Sequence, residues 1–341
     1  MTTQDTPESI DINKRITISD VAKAAGVSLA TVSRVINQAG IVKESTHKKV
    51  MDAINQLGYE VDKNLLAMPN GKLIIFNLPS IDNPFYSNVL KGVKMSAAQH
   101  GYQLLVSEGL INQNTLPGLQ SIIKKSHVIG MLTCNHIPTA ELKQLNEMIP
   151  IVQCCEYNEV LDISFVSIDD IQASINVVKY LSSIGKNRIA LLNGPESYKY
   201  SRHRLQGYQI GLDNCGLPYD PNLVITLPDI HYDLAISTVM QLVNSPNPPD
   251  AFFASSDVFA IAALRAIHLA GYKVPEDFSV VGFDNIDVTS ALVPSITTVN
   301  QPQLQIGFTS CELLHEKIQN PDAPTKKVLL ETELIIREST K

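Results

Sequence analysis

Apolar positions fall into two regimes along the chain. Between residues 16 and 59, ITISDVAKAAGVSLATVSRVINQAGIVKESTHKKVMDAINQLGY, they recur at three- and four-residue spacing, the period of helices buried on one face. Ile18, Val21, Ala22 and Ala25 mark a first helix, with Thr17 and Asp20 spaced to cap its start and Gly26 to end it. Ser28 caps a second, Leu29 to Ile36, in which Val32, Val35 and Ile36 point inward while Leu29, Ala30 and Arg34 point away. Ser45 starts a third, with Val50, Ala53, Ile54 and Leu57 internal and Gly58 closing it. Two short helices joined by a tight glycine turn and braced by a third make a helix-turn-helix.

From Leu73 onward the period changes. Short apolar runs (LIIFNL, QLLV, VIGMLTC, IVQCCEY) alternate with amphipathic stretches, and a second set follows with RIALLNG, LVITL, DAFFASS and FSVVGFDN as its strands. This is βαβ repetition, which predicts parallel sheets covered by helices. Two sets predict two lobes. The fold expected is α/β: an all-α helix-turn-helix domain (16–60) after a polar tail (1–15), a hinge (61–72), and a core (73–341). Ligands of such sheets sit beyond the carboxyl ends of the strands, which puts the pocket in the cleft between lobes.

Charge sharpens this division. The formal charge is -7, yet residues 14 to 63 carry eight Lys/Arg against five Asp/Glu, so that segment is +3 and the remainder -10. A basic head on an acidic body suits a chain of which one part meets phosphate. The first thirteen residues are polar and acidic, unlike a signal peptide, and no run of about 18 apolar residues spans a membrane, so a cytoplasmic location is expected. Five cysteines (Cys134, Cys154, Cys155, Cys215, Cys311) lack metal-site or CxxC spacing and read as free thiols; neither metal nor cofactor is expected.

The second helix of a helix-turn-helix enters the major groove at its N-terminal end. Arg34 there grips guanine with two hydrogen bonds, and Leu29 and Ala30 offer apolar contact to a thymine methyl. Ser28, Thr31, Ser33, Asn37, Lys43 and Thr46 suit phosphates. Pattern alone also fits a small three-helix bundle with no DNA role.

The string TISDVAKAAGVSLATVSRVIN, followed by the third helix and GY, resembles the DNA-binding domain of the LacI/GalR family of bacterial regulators. Farther along, SIDNPFYSNVLKG, HRLQGY, PEDFSVVGFDNID, TTVNQP and ELIIREST are similar to the family's periplasmic-binding-protein-like core, the C-terminal half most of all to its cytidine-repressor branch. The resemblance implies three chain crossings between lobes, with lobe one at about 73–165 and 303–328 and lobe two at about 166–302 and 329–341. It implies that the hinge becomes a helix on DNA, with Met68, beside Leu65, wedged into the minor groove. Pro69 departs from the family, as do Lys63 and Asn64 where an arginine-rich start is usual; a plain linker fits as well.

For the core the resemblance implies effector contacts at Phe85, Tyr86, Asp169, Arg204, Ser256, Asp284 and Gln301, with Tyr198, Tyr200 and Ile230 at positions that vary with ligand. Aromatic rings stack on a ring or on the apolar face of a sugar, and the polar groups serve its hydroxyls. No GxGxxG, P-loop, HExxH or GxSxG string supports an enzyme. The expected function is a DNA-binding regulator, a repressor controlled by a sugar or nucleoside and acting as a homodimer on a palindromic operator. The alternative is a solute sensor whose helix-turn-helix does not serve operator binding.

Overall fold

The computed structural model describes residues 16–36, 42–57 and 72–341. The chain divides into two compact units, residues 1–71 and 72–341. Asn37, Gly58, Leu65, Met68, Pro69 and the N-terminal tail lie outside the described residues, as do the side chains of Ser33 and Ile36.

In the first unit α1 (Ile18–Ala25), α2 (Leu29–Ile36) and α3 (Glu44–Leu57) enclose a small core of Val21, Ala22, Ala25, Val32, Val35, Val50, Ala53 and Ile54. The Asp20 carboxylate accepts from the backbone N–H (2.9 Å) and the hydroxyl (2.7 Å) of Thr17, and Gly26 takes the left-handed conformation that ends α1. The Ser28 hydroxyl accepts from the Thr31 N–H at 3.2 Å, which caps α2. The third helix starts one residue earlier than Ser45 was expected to place it: the Lys43 carbonyl accepts from Thr46 and His47, so capping is by backbone and Ser45 lies inside the first turn.

The second unit has two lobes. Lobe one carries β1 (Leu73–Leu78), α4 (Phe85–Gln99), β2 (Gln103–Glu108), α5 (Leu116–Lys125), β3 (Val128–Thr133), α6 (Thr139–Asn146), β4 (Ile151–Cys154) and β5 (Phe165–Ile168). The chain crosses into lobe two with α7 (Asp170–Ser183), β6 (Ile189–Asn193), α8 (Lys199–Asn214), β7 (Val224–Thr226), α9 (Tyr232–Val243), β8 (Ala251–Ala254), α10 (Asp257–Leu269), β9 (Ser279–Asp284) and β10 (Thr297–Asn300). It returns to lobe one for α11 (Gln303–Gln319) and β11 (Lys327–Leu330), and crosses a third time to end with β12 (Glu333–Ile335).

Sheet one runs β11-β5-β4-β3-β1-β2 with every pair parallel; sheet two runs β12-β10-β9-β8-β6-β7, parallel except for the β12 edge. The first and last crossings fall after Ile168 and Leu330, a few residues beyond 165 and 328, because β5 and β11 pair through those positions. Alternation along a strand explains why both faces need helices. Ile74, Phe76 and Leu78 point to the face covered by α4 and α11, whereas Ile75 points to a separate cluster with Leu116, Ile123 and Leu142. In β6, Ile189 and Leu191 face one way and Ala190 and Leu192 the other.

The helices α4 and α11 touch backbone to backbone. A Cβ on Gly92 would lie 2.0 Å from the Leu304 carbonyl oxygen, and one on Gly307 2.0 Å from that of Val89. Gly207 does the same for α8 against α7, where a Cβ would meet the Ile171 carbonyl at 2.3 Å. Gly307→Ala is therefore expected to push the pair apart and to destabilise the core by about 1 to 3 kcal/mol, read as a lower urea midpoint, whereas Gly118→Ala, inside α5 with open space around it, is expected to raise the midpoint slightly, because alanine favours the helix by about 0.4 to 1 kcal/mol.

Candidate functional site

On α2 of the first unit the outward face holds Leu29, Ala30 and Arg34, all exposed, with Leu29 at 51%. Leu29 is not among the residues that pack on the small core of this unit. Ser28, at the entry to α2, and Lys43, at the entry to α3, are exposed as well, and Thr31 and Thr46 are half-buried, with Thr31 bonded to Ser28 across 2.9 Å.

In the core, the carboxyl ends of β1, β4, β5, β8, β9 and β10 converge on one cleft, as the parallel topology requires. Phe85, Tyr86, Tyr200, Arg204, Ile230, Ser256, Asp284 and Gln301 all line its inner chamber. Tyr198 does not; with Asp82, Tyr232 and Asp229 it lines an outer vestibule of about 200 Å³, and Asn83, Tyr86, Tyr200 and Ile230 belong to both spaces. The inner chamber has a volume of about 40 Å³.

Asp169 is the expected contact that the structure moves elsewhere. It is exposed and caps α7, its carboxylate accepting from the Gln172 N–H at 2.9 Å. The next residue, Asp170, turns inward and lines the chamber at 2% exposure. A side chain at the capping position folds back over the helix end and is spent on it. Asp170 accepts from Arg204 Nε at 2.8 Å through one oxygen and from Lys199 Nζ at 2.6 Å through the other. Burial opposes its charge, yet Lys199 and Arg204 hold the carboxyl below its usual range.

Arg204 is locked from every side. One Nη donates to the Ser255 carbonyl, the guanidinium lies 3.5 Å over the Phe283 ring centroid, and Nη1 stands 3.9 Å from the Asp284 carboxylate. Sequence reasoning missed Lys199, Glu156 and Asp170. The Glu156 carboxylate, from lobe one, accepts the backbone N–H groups of Lys199 (2.8 Å) and Tyr200 (2.9 Å), gripping the N-terminus of α8. A Lys and two acids in a sequence that puts them far apart carry no pattern; the only available signal was the doubled acid Asp169-Asp170, of which a helix start needs one.

Asp284 sits on a kinked backbone, with φ of 120° followed by 57° at Asn285, a left-handed pair that aims its carboxylate into the cleft. Gln301 Nε2 (2.7 Å) and the Ser256 hydroxyl (3.1 Å) donate to that carboxylate. Burial pushes it up to about 6 despite the pull of Arg204 and those donors; its neighbour Asp257 is pushed well up too, by burial and then by the charge of Asp284. The folded state therefore holds a proton on Asp284 that the unfolded chain releases near its ordinary value. Its contribution to stability is present at low pH and is lost as pH rises from the ordinary value through about 6. Asp284→Asn is expected to melt higher relative to the parent at about pH 7.5 than at about pH 5, by on the order of 1 kcal/mol. Thermal melts of both proteins at the two pH values check it; an equal difference at both would mean that Arg204 and the donors to Asp284 offset the effect of its burial.

Comparison with known proteins follows this geometry. Residues 17–62 match the model of bacterial regulatory proteins of the lacI family, and residues 178–340 that of a periplasmic binding protein-like domain. The HTH-type transcriptional repressor CytR of Escherichia coli (strain K12) is 35% identical over 331 residues, 95% of this chain and 96% of that protein. The HTH-type transcriptional regulator DegA of Bacillus subtilis (strain 168) is 31% identical over 96% of this chain and 98% of its own length. Among solved structures, a complex of transcriptional regulator CelR with cellobiose superposes with a TM-score of 0.72 at 32% identity, covering 95% of this chain and all 100% of that one. The lac repressor dimer bound to operator and the anti-inducer ONPF gives 0.73 at 27% identity, covering 96% and 99%. Over nearly its whole length, from reading helices to cleft, the chain belongs to the LacI family of bacterial transcriptional regulators.

Proposed function

We propose that this regulator is a repressor that reads a palindromic operator as a homodimer and releases or holds it according to a sugar or nucleoside bound in the cleft. The observation that carries the reading is the outward face of α2, where Leu29, Ala30 and Arg34 stand exposed while every other apolar position described on that helix is buried. That face offers a guanidinium for a guanine edge and apolar groups for a thymine methyl.

The cleft supports a neutral, hydroxyl-rich guest. Its two cations face three carboxylates, Asp170, Glu156 and Asp284, so an anionic ligand meets negative charge already in place, whereas Asp284 and Gln301 offer hydrogen bonds and Phe85, Tyr86 and Tyr200 offer ring faces. The cellobiose in the CelR complex is a ligand of that chemical kind. A ligand that binds one arrangement of the two lobes better than another shifts the balance between them.

Pairing of two chains is supported by an exposed groove on lobe two, about 470 Å³ in volume and lined by Tyr232, Ile261, Leu264, Tyr272 and Val293, the last 93% exposed. A second copy placed across a two-fold axis covers it and presents two reading helices to a palindrome. Among the described residues no helix is long and apolar enough to cross a membrane. Among them, too, no cluster of His, Cys, Asp or Glu is arranged to hold a metal ion.

The test is in vitro selection of a duplex followed by titration. Arg34→Ala is expected to lose about 1 to 3 kcal/mol on the selected site and to relax preference at one base pair of each half-site. Uniform weakening on all sequences makes Arg34 a phosphate contact, and unchanged binding on the selected site removes α2 as the reading helix.

A further inference from the structure

One buried side chain is bonded to both lobes at once and takes no part in the cleft. Gln303, the first residue of α11 and 4% exposed, donates through Nε2 to the backbone carbonyl of Asp284 in lobe two. Its amide oxygen accepts from Asn88 Nδ2 on α4 of lobe one, at 3.1 Å. Asn88 is held in turn by Lys91 Nζ at 2.8 Å. We propose that Gln303 is a positioning residue that couples the Asp284 turn to helix α4, so that a shift of this turn in lobe two moves the lobe that joins the DNA-binding unit. The proposal rests on the reading of Asp284 as an effector contact.

Three features make the amide a stiff link. The acceptor at one end is the carbonyl of a residue with φ of 120°, backbone that only its surroundings hold in place, so movement of its carboxylate is transmitted to its carbonyl. Gln303 and Asp284 are buried away from water, so breaking the bond between them without replacement leaves an unsatisfied polar group. At the other end the amide oxygen is bonded to Asn88 in the first turns of α4, ahead of the places where α4 and α11 meet at Gly92 and Gly307, so it is the contact that ties those first turns to the Asp284 turn. Asn285 strengthens the turn: its side chain receives the Arg337 guanidinium at 2.7 Å and donates to Asn300 at 3.0 Å, which makes the turn a rigid unit able to move as a whole.

The test needs neither effector nor operator, so its failure is separable from failure of the functional reading. Hydrogen exchange of the first turns of α4, residues 86–92, is followed in the full chain by mass spectrometry. Asp284→Asn removes the charge around which Arg204, Gln301 and Ser256 are arranged, and is expected to change exchange in α4 about fivefold. In a Gln303→Met background, similar in size but without the amide, the same substitution is expected to change it less than about twofold. Asn88→Ala, which cuts the link from the half-exposed end, is expected to uncouple in the same way and carries the test should Gln303→Met not fold. A merely structural role for Gln303 shifts the baseline of α4 but leaves the Asp284→Asn ratio intact. An equal ratio in all backgrounds, or no response of α4 to Asp284→Asn in the parent, overturns the proposal.

Discussion

The core is organised around a carboxylate that water does not reach. Asp170 lies at the first crossing between lobes and pairs with two buried cations, Lys199 and Arg204, both contributed by α8, with Glu156 and Asp284 as the further carboxylates near them. Ionised groups leave water only when paired, and removing one partner of such a set costs about 3 to 5 kcal/mol because the others remain buried. Everything else in the cleft follows from this constraint. Arg204 is fixed by Asp170, stacks on Phe283 and stands opposite Asp284; Glu156 fixes the start of the same helix from the opposite lobe. The pocket is built before any ligand arrives, which limits the ordering that a ligand has to impose.

Why the two units divide the work is visible in charge and packing. The reading helices form a small core of short side chains, and their polar and basic residues lie outside it. The core domain is acidic in sum and closes over its own charges. Two sheets joined by three crossings make up the core, and buried bonds join the lobes beside them, from Glu156 to the start of α8 and from Gln303 to the Asp284 carbonyl. Coupling of about 1 to 3 kcal/mol between cleft and operator is enough for a 5 to 150-fold change in DNA affinity.

Periodicity made much of this legible. Helix spacing gave α1 to α3 almost to the residue, because Thr17, Gly26 and Ser28 are local signals that act on their own backbone. Strand runs such as LIIFNL and FSVVGFDN stood out because a parallel strand is apolar on both faces. The four-residue strands Phe165–Ile168 and Lys327–Leu330 are too short for a pattern, and they shifted the crossings. Resemblance supplied Arg204 and Asp284. It failed at Asp169, where two adjacent acids compete for one capping position and only the fold decides which turns inward. Glu156, Lys199 and Gln303 were illegible because their partners lie 44, 29 and 19 residues away.

The most direct measurement of the central claim is a thermal-shift titration of the full chain with cytidine, D-ribose and cellobiose, repeated on Asp284→Asn and Arg204→Ala. A ligand at about a hundred times its dissociation constant adds about 2.7 kcal/mol to the stability of the core and raises its midpoint. The account predicts such a rise for a neutral ring-bearing ligand in the parent and its loss in both variants. A rise that persists undiminished in both variants would contradict it, because the ligand then binds away from the cleft that Asp170 and Arg204 build.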